Sequence, residues 1–240
     1  MNFSTITYGR HKMTFEIVKV RRGLSRIQPL LDVLKEHNAF VCGGYARYCA
    51  SPNTDKRLSK AWDVDVYCQD VAIFEALKSY FEAALLETRH ENDLAITYKK
   101  PKDSTNVFFK CPIIQLIKPL EMGAIVTKGS VERVLENFDF TVVRCAIVPE
   151  GVLVDVDFIA DESKKFLRIK KIHCPVSSLL RFMKYARKGY NTGPAELIKL
   201  FADWDRRSLE YRERIVELFS KIGELTQEEI DQLERLLRID

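Results

Sequence analysis

Nowhere among the 240 residues do two cysteines stand at the Cys-x-x-Cys spacing of a redox or zinc pair. Cys42, Cys49, Cys68, Cys111, Cys145 and Cys174 are scattered through apparent strands and helices. That pattern fits reduced, buried thiols and argues against a disulfide framework. His11, His37, His90 and His173 are too far apart to share a metal by sequence spacing. No apolar run approaches the length of a membrane span. The opening "MNFSTITYGRHKM" lacks the apolar centre of a signal peptide. The expectation is a cytoplasmic protein with no membrane partner. Internal repeats and low-complexity stretches are missing too, and nothing in the sequence sets an oligomeric state. One further absence is local: between Ser163 and Ala195 there is no Asp or Glu. Lys164, Lys165, Arg168, Lys170, Lys171, Arg181, Lys184, Arg187 and Lys188 all fall there, although the net charge is only +4. A block of one sign that long points to a polyanionic partner.

What is present is an ordinary globular composition, 46% hydrophobic and 30% charged, in a chain long enough to bury a real core. The first part alternates. "TITYGRHKMTFEIV" reads as a hairpin, "LSRIQPLLDVLKEHN" as a helix, "AFVCGG" as a strand ending in two glycines, and residues 45–50 as a short helix. A polar loop leads to the strand "WDVDVYC". "VAIFEALKSYFEAALLETRH" has the spacing of one long amphipathic helix. "LAITYKK", "NVFFKC" and "IIQLIK" read as strands, "SVERVLENF" as a short helix, and "FTVVRCAIV-PEG-VLVDVDF" as a hairpin. Past Asp161 the strand pattern stops. "PVSSLLRFMKYARKGY" is a helix with Pro in its first turn. "PAELIKLFADWDRRSLEYRERIVELFSKIG" places Leu197, Phe201, Trp204, Tyr211, Ile215, Leu218 and Ile222 on one face of another. "TQEEIDQLERLLRID" opens with a capping box, Thr226 with Glu229. The fold class expected is an α/β (α+β) head over residues 1–160 with a mixed, mostly antiparallel sheet, then a helical neck and C-terminal region over 161–240.

The chemistry lies in two short stretches. On a strand, residues i and i+2 point to one face. Asp63 and Asp65 therefore project together, roughly 7 Å apart at the backbone, while Val64 and Val66 face the core. Two carboxylates so placed repel and call for cations. A pair of hard divalent ions, roughly 3.5–4 Å apart, is the usual answer where phosphoryl groups move. Gly43 and Gly44 let backbone N–H groups approach a triphosphate at the positive end of the following helix. Arg47, one turn in, can pair with a phosphate oxygen. Each feature alone fits a plain turn or a wet edge strand. In the order strand, Gly-Gly, helix, loop, Asp-x-Asp strand, they point to nucleotidyl transfer.

"FVCGGYARYCA…WDVDVY" resembles the signature of the polymerase-β-like nucleotidyltransferase superfamily. "NFDFTVVRCAIVPEGVLVDVDF" resembles the Arg-Arg-Asp-Phe-Thr segment and hairpin of class II CCA-adding enzymes and bacterial poly(A) polymerases, with Asp139, Phe140, Thr141, Gly151 and Asp155 in matching places. "FLRIKKIHCPVSSLLRFMKYARKGY" is similar to their first neck helix, and short phage-type members share the "FDFTV" run. The resemblance covers about residues 25–190. It implies that Asp63 and Asp65 hold two Mg2+ (or Mn2+) ions and that Gly43, Gly44 and Arg47 hold the NTP triphosphate. Asp139 would lie by the ribose or act as a third carboxylate, ahead of Asp155 and Asp157. Arg181, Lys184 and Lys188, at helical spacing opposite Leu179, Met183, Ala186 and Tyr190, would receive the backbone of an RNA acceptor.

The departures are specific. Eighteen residues separate Gly44 from Asp63, with "NTDKRLSK" as an apparent insertion. Asn137 and Phe138 replace the paired arginines, and Cys174 and Ser177 replace the Asp and Arg that read the incoming base. Only about fifty residues follow Gly189 where the relatives carry a tRNA-measuring body. The expectation is transfer of NMP to a hydroxyl, an RNA (possibly tRNA) 3′ end first. The alternatives are an inactive head that only binds RNA, and an enzyme acting on a protein or small-molecule hydroxyl.

Overall fold

Alternation in the strands and apolar spacing in the helices are met by one mixed sheet with helices on both faces. The computed structural model describes residues 14–20, 22–53, 63–84, 86–99, 113–122 and 125–220. The other arm of the expected N-terminal hairpin, the insertion, the strand over 106–111 and the C-terminal helix with its capping box lie outside the described residues.

The sheet runs β1 (Phe15–Val18), β10 (Gly151–Asp155), β9 (Cys145–Val148), β2 (Ala39–Cys42), β3 (Asp63–Cys68), β6 (Ile113–Ile117), β5 (Ala95–Lys99), β4 (Glu87–Glu91). Every neighbouring pair is antiparallel except β3 with β6. On one face Val41, Val64, Val66, Ile96, Ile114 and Leu116 pack under α1 (Leu24–Glu36) and α3 (Val71–Ala83), which contribute Ile27, Leu30, Leu34, Phe74, Leu77 and Phe81. Burying each such side chain is worth about 1.5–3 kcal/mol. On the other face Phe40, Cys42 and Ala146 lie under Val134 and Leu135 of α4 (Val131–Leu135). Beyond α4 that face holds Asp63, which is exposed, and Asp65, which is half-buried.

Three expectations need correction. The helix expected over 71–90 ends at Ala83, and residues 87–91 pair with β5 instead. Ladder hydrogen bonds there outweigh a weak helical preference. The long helix after Pro194 is two, α7 (Pro194–Asp205) and α8 (Leu209–Ser220). Ser208 Oγ accepts from Tyr211 N–H at 3.2 Å, so a serine cap restarts the chain. Phe201, assigned to the buried face, is 68% exposed, and Leu200 is buried in its place. α5 (Phe158–Lys164) runs across residues 160 and 161.

Candidate active site

The glycine turn comes first because its backbone sets the rest. Gly43 has φ +72°, a value side-chain-bearing residues rarely adopt, and its N–H bonds Cys145 O at 2.9 Å. A methyl group there would stand 3.4 Å from Asp65 Oδ2 and 3.8 Å from Phe138 Cε2. At Gly44 it would meet nothing within 4 Å. The turn therefore lies directly against an Asp-x-Asp carboxylate and opens on its other side. α2 (Gly44–Ala50) starts there with no side-chain cap on its first N–H groups.

β3 alternates as expected, with Val64, Val66 and Cys68 buried and Asp63, Asp65 and Tyr67 on the opposite face. Burial pushes the Asp65 carboxyl up to about 7, repulsion from Asp63 adds to it, and the Lys184 ammonium draws it back. Burial, Asp65 and Cys42 likewise push the Tyr67 hydroxyl up, while Arg181 draws it down. Helix α6 (Pro175–Ala186) thus carries Lys184 near enough to draw on Asp65 and Arg181 near enough to draw on Tyr67. Lys188 follows, its ammonium 5.1 Å from the Tyr185 ring and its proton loosened by burial, Lys184 and Arg47. Leu179 and Met183, expected to pack opposite the cations, are instead exposed by 43% and 46%. The buried side of α6 is Val176, Ser178 and Tyr185.

Arg47 does not reach the open side of the turn. Its Nε and Nη2 donate to Glu162 at 3.0 Å each, its Nη2 also meets the Tyr190 hydroxyl, and the Tyr185 and Tyr190 rings flank it. Glu162, fully buried, accepts from Ser51 Oγ at 2.7 Å and from the Tyr190 hydroxyl at 2.8 Å. With both partners withdrawn from water, Arg47 fastens α2 to the end of the neck rather than a phosphate to the turn. Asp139 lies at a bend, one residue before the isolated bridge at Phe140, rather than at the start of a strand. Its Oδ1 accepts from Phe140 N–H at 3.0 Å, and its Oδ2 from Ser178 Oγ at 3.1 Å and Arg181 Nη1 at 2.8 Å. Asp155 is held by Arg144 at 2.7 Å and Lys170 at 3.2 Å, and Asp157 by Lys170 at 2.8 Å. Cys174 is buried against Val176 and Ile215, its Sγ 3.5 Å from the Tyr211 hydroxyl, and so faces α8. Sequence reasoning missed Glu162 and Ser178. A lone acid or serine carries no motif until its partners, far away in the chain, are in place.

Among the described residues no group of three His, Cys, Asp or Glu could enclose a metal. Asp63 and Asp65 alone suit Mg2+ or Mn2+, which take one or two carboxylates and complete their shell with water and substrate phosphates. Burial and the Asp63 carboxylate oppose ionisation of Asp65, and a bound cation would favour it.

Sheet order, glycine turn and Asp-x-Asp strand together define a polymerase-β-like nucleotidyltransferase fold, and the solved structures agree. A Thermotoga maritima CCA-adding enzyme complexed with tRNA superposes with a TM-score of 0.53 at 17% identity, over 94% of this chain and 55% of that one. A tRNA-processing enzyme in an apo form gives 0.53 at 18% identity, over 93% and 59%. This chain therefore spans under two thirds of the length of those enzymes. The profile described as Gabija anti-defense 2 family protein matches residues 12–165, and the chain belongs to that family. No curated protein matches it.

Proposed function

We propose that this protein is a metal-dependent nucleotidyltransferase that moves NMP from an NTP to an acceptor hydroxyl and releases pyrophosphate. One observation carries the reading. Asp63 and Asp65 share a face beside the open glycine turn, and Asp65 is held at about 7 by burial and repulsion. Crowding two acids there costs stability unless ions are to be bound. Two Mg2+ (or Mn2+) held by Asp63 and Asp65 would acidify the attacking hydroxyl and neutralise the departing pyrophosphate. Gly43 and Gly44 leave room for the triphosphate. Lys184 and Lys188 supply the positive charge that Arg47, tied to Glu162, does not. The hydroxyl oxygen bonds the α-phosphorus as the bond to the bridging oxygen breaks, and the hydroxyl proton passes to solvent.

The acceptor we propose is an RNA 3′ end lying along the cation-bearing side of α6, with the head and its helical extension acting together in the cytoplasm. The CCA-adding neighbour is complexed with tRNA, and the family name directs the activity against Gabija defence. A protein hydroxyl is the second reading, favoured by the exposed Leu179, Leu180 and Met183 beside the cations. Incubation with each labelled NTP, Mg2+, total RNA and cell protein tests both. Label in RNA supports the first reading and label in protein the second. RNA binding without incorporation of any NTP would show the head to be inactive and would refute the proposal.

A further inference from the structure

This inference rests on the nucleotidyltransferase reading and concerns the same site. Asp139 is 2% exposed, and each of its oxygens already accepts a donor. Two of those donors, Ser178 and Arg181, belong to the neck helix. The bend that carries Asp139 is also stitched to the strand-like segment ahead of that helix. Lys170 N–H bonds Asp139 O at 2.8 Å, Thr141 N–H bonds Arg168 O at 3.1 Å, and Phe140 bridges Ile169. The segment therefore cannot shift without carrying α6 along. Lys184 lies three residues beyond Arg181, hence on the same side of the helix. Asp65 and Tyr67 share the strand face that receives both cations.

We propose that Asp139 is a positioning residue: through Ser178 and Arg181 it fixes the neck helix so that Lys184 overhangs Asp65 and receives the triphosphate. Arg181 is the tether in this arrangement and Lys184 the anion contact. A carboxylate whose oxygens accept two charge-neutral hydrogen bonds and a guanidinium N–H at 2.8 Å is a poor metal ligand, because the cation would have to displace a cation. An arginine pinned by a buried aspartate is well suited to fixing one orientation.

The test uses the full chain, Mn2+ alone, and a non-hydrolysable analogue of each NTP. Asp139→Asn and Arg181→Gln should each weaken the bound analogue about tenfold, the scale of one coupled contact. Mn2+ affinity without nucleotide should stay within about twofold, because Asp63 and Asp65 are untouched. In a Lys184→Ala background, Asp139→Asn and Arg181→Gln should add little further loss. That non-additivity is what a merely structural role would not produce. Arg181→Gln keeps the test usable where Asp139→Asn fails to fold, since Arg181 is half-exposed. Loss of Mn2+ binding in Asp139→Asn would make Asp139 a metal ligand and overturn the proposal. Losses that multiply with Lys184→Ala would overturn it as well. If the unmutated protein binds none of the analogues, the nucleotidyltransferase reading itself falls, an outcome plainly distinct from either.

Discussion

The tripeptide Asp-Val-Asp occurs twice in this chain, at 63–65 on β3 and at 155–157 at the end of β10. The second copy has its charge met. Arg144 and Lys170 hold Asp155, while Lys170 and Arg168 lie within 2.8 and 3.7 Å of Asp157. The first copy has a partly buried acid whose ionisation is opposed by burial and by its neighbour, with Lys184 alone drawing the other way. Identical residues at identical spacing thus give a structural clasp in one place and, in the other, a carboxylate pair toward which Lys184 alone draws. What separates them is not the motif but whether the fold supplies cations to it.

The largest expected effect comes from breaking the unmet copy. Asp63→Ala or Asp65→Asn should lower NMP transfer by at least about a thousandfold, the scale of losing one electrostatic stabiliser of a transition state. Neither should lower the melting temperature. Transfer at the unmutated rate in either variant would end the two-metal assignment. The clasp should behave in the opposite way. Arg144→Leu leaves the fully buried Asp155 with Lys170 as its remaining cation and removes the donor to Leu135 O. It should cost about 3–5 kcal/mol of stability in urea unfolding, as breaking one side of a buried pair does. A loss below about 1 kcal/mol, the value of a surface pair, would show that Arg144 and Asp155 are not a buried unit.

A pH series sharpens the same contrast with a smaller effect. The Asp65 carboxyl is about 7 in the fold against an ordinary 3.8, so the native state holds its proton where the unfolded chain has lost it. Below about pH 4 both states are protonated and this contribution is fully present. It is lost as pH rises toward 7, since stability falls wherever the native state binds more protons. Metal-free protein should therefore lose stability between pH 4 and 7, and Asp65→Asn should remove that slope. At pH 8 the variant should melt about 2–4 °C higher for each kcal/mol of relieved repulsion. Bound Mg2+ should flatten the slope in the unmutated protein, and an unchanged slope in Asp65→Asn would place the titration elsewhere.

How much of this could be read in advance follows the same line. β2, the glycine turn, α2 and the alternation on β3 were legible because each rests on local rules: period two, left-handed φ, apolar spacing. The sheet's mixed character and the covered and open faces followed from them. Arg47 stands one turn past the glycines, a position right for phosphate, yet its guanidinium is engaged by Glu162. Its partner Glu162 lies 115 residues away and bears no motif. The bonds that Asp139 accepts from Ser178 and Arg181, 39 and 42 residues away, were hidden for the same reason. Cys174 was read as a departure, but its turn toward Tyr211 depends on α8, and α8 was hidden inside one long helical pattern until Ser208 divided it. Long-range pairing of charges was the illegible part, and it decides which charged residues remain available for chemistry.

The smallest expected effect carries that argument to the cations. Arg181 is paired with Asp139, whereas Lys184 on α6 and Lys188 just past its end are exposed. An RNA phosphate that meets a free lysine releases counterions. One that meets an arginine already neutralised by a carboxylate releases fewer. Replacing both Lys184 and Lys188 with Gln should reduce the slope of log affinity against log salt by about 1.4 for single-stranded RNA, roughly 0.7 per phosphate contact. Arg181→Gln alone should change that slope by less than either lysine does, even where it lowers nucleotide affinity. Fluorescence anisotropy on a short RNA from 50 to about 200 mM salt resolves the difference, because several contacts shift affinity by orders of magnitude over that range. Equal slope changes for Arg181 and Lys184 would mean that Asp139 does not hold the guanidinium against phosphate. No slope change in the double lysine variant would remove RNA from this side of the neck and leave the protein-hydroxyl reading standing.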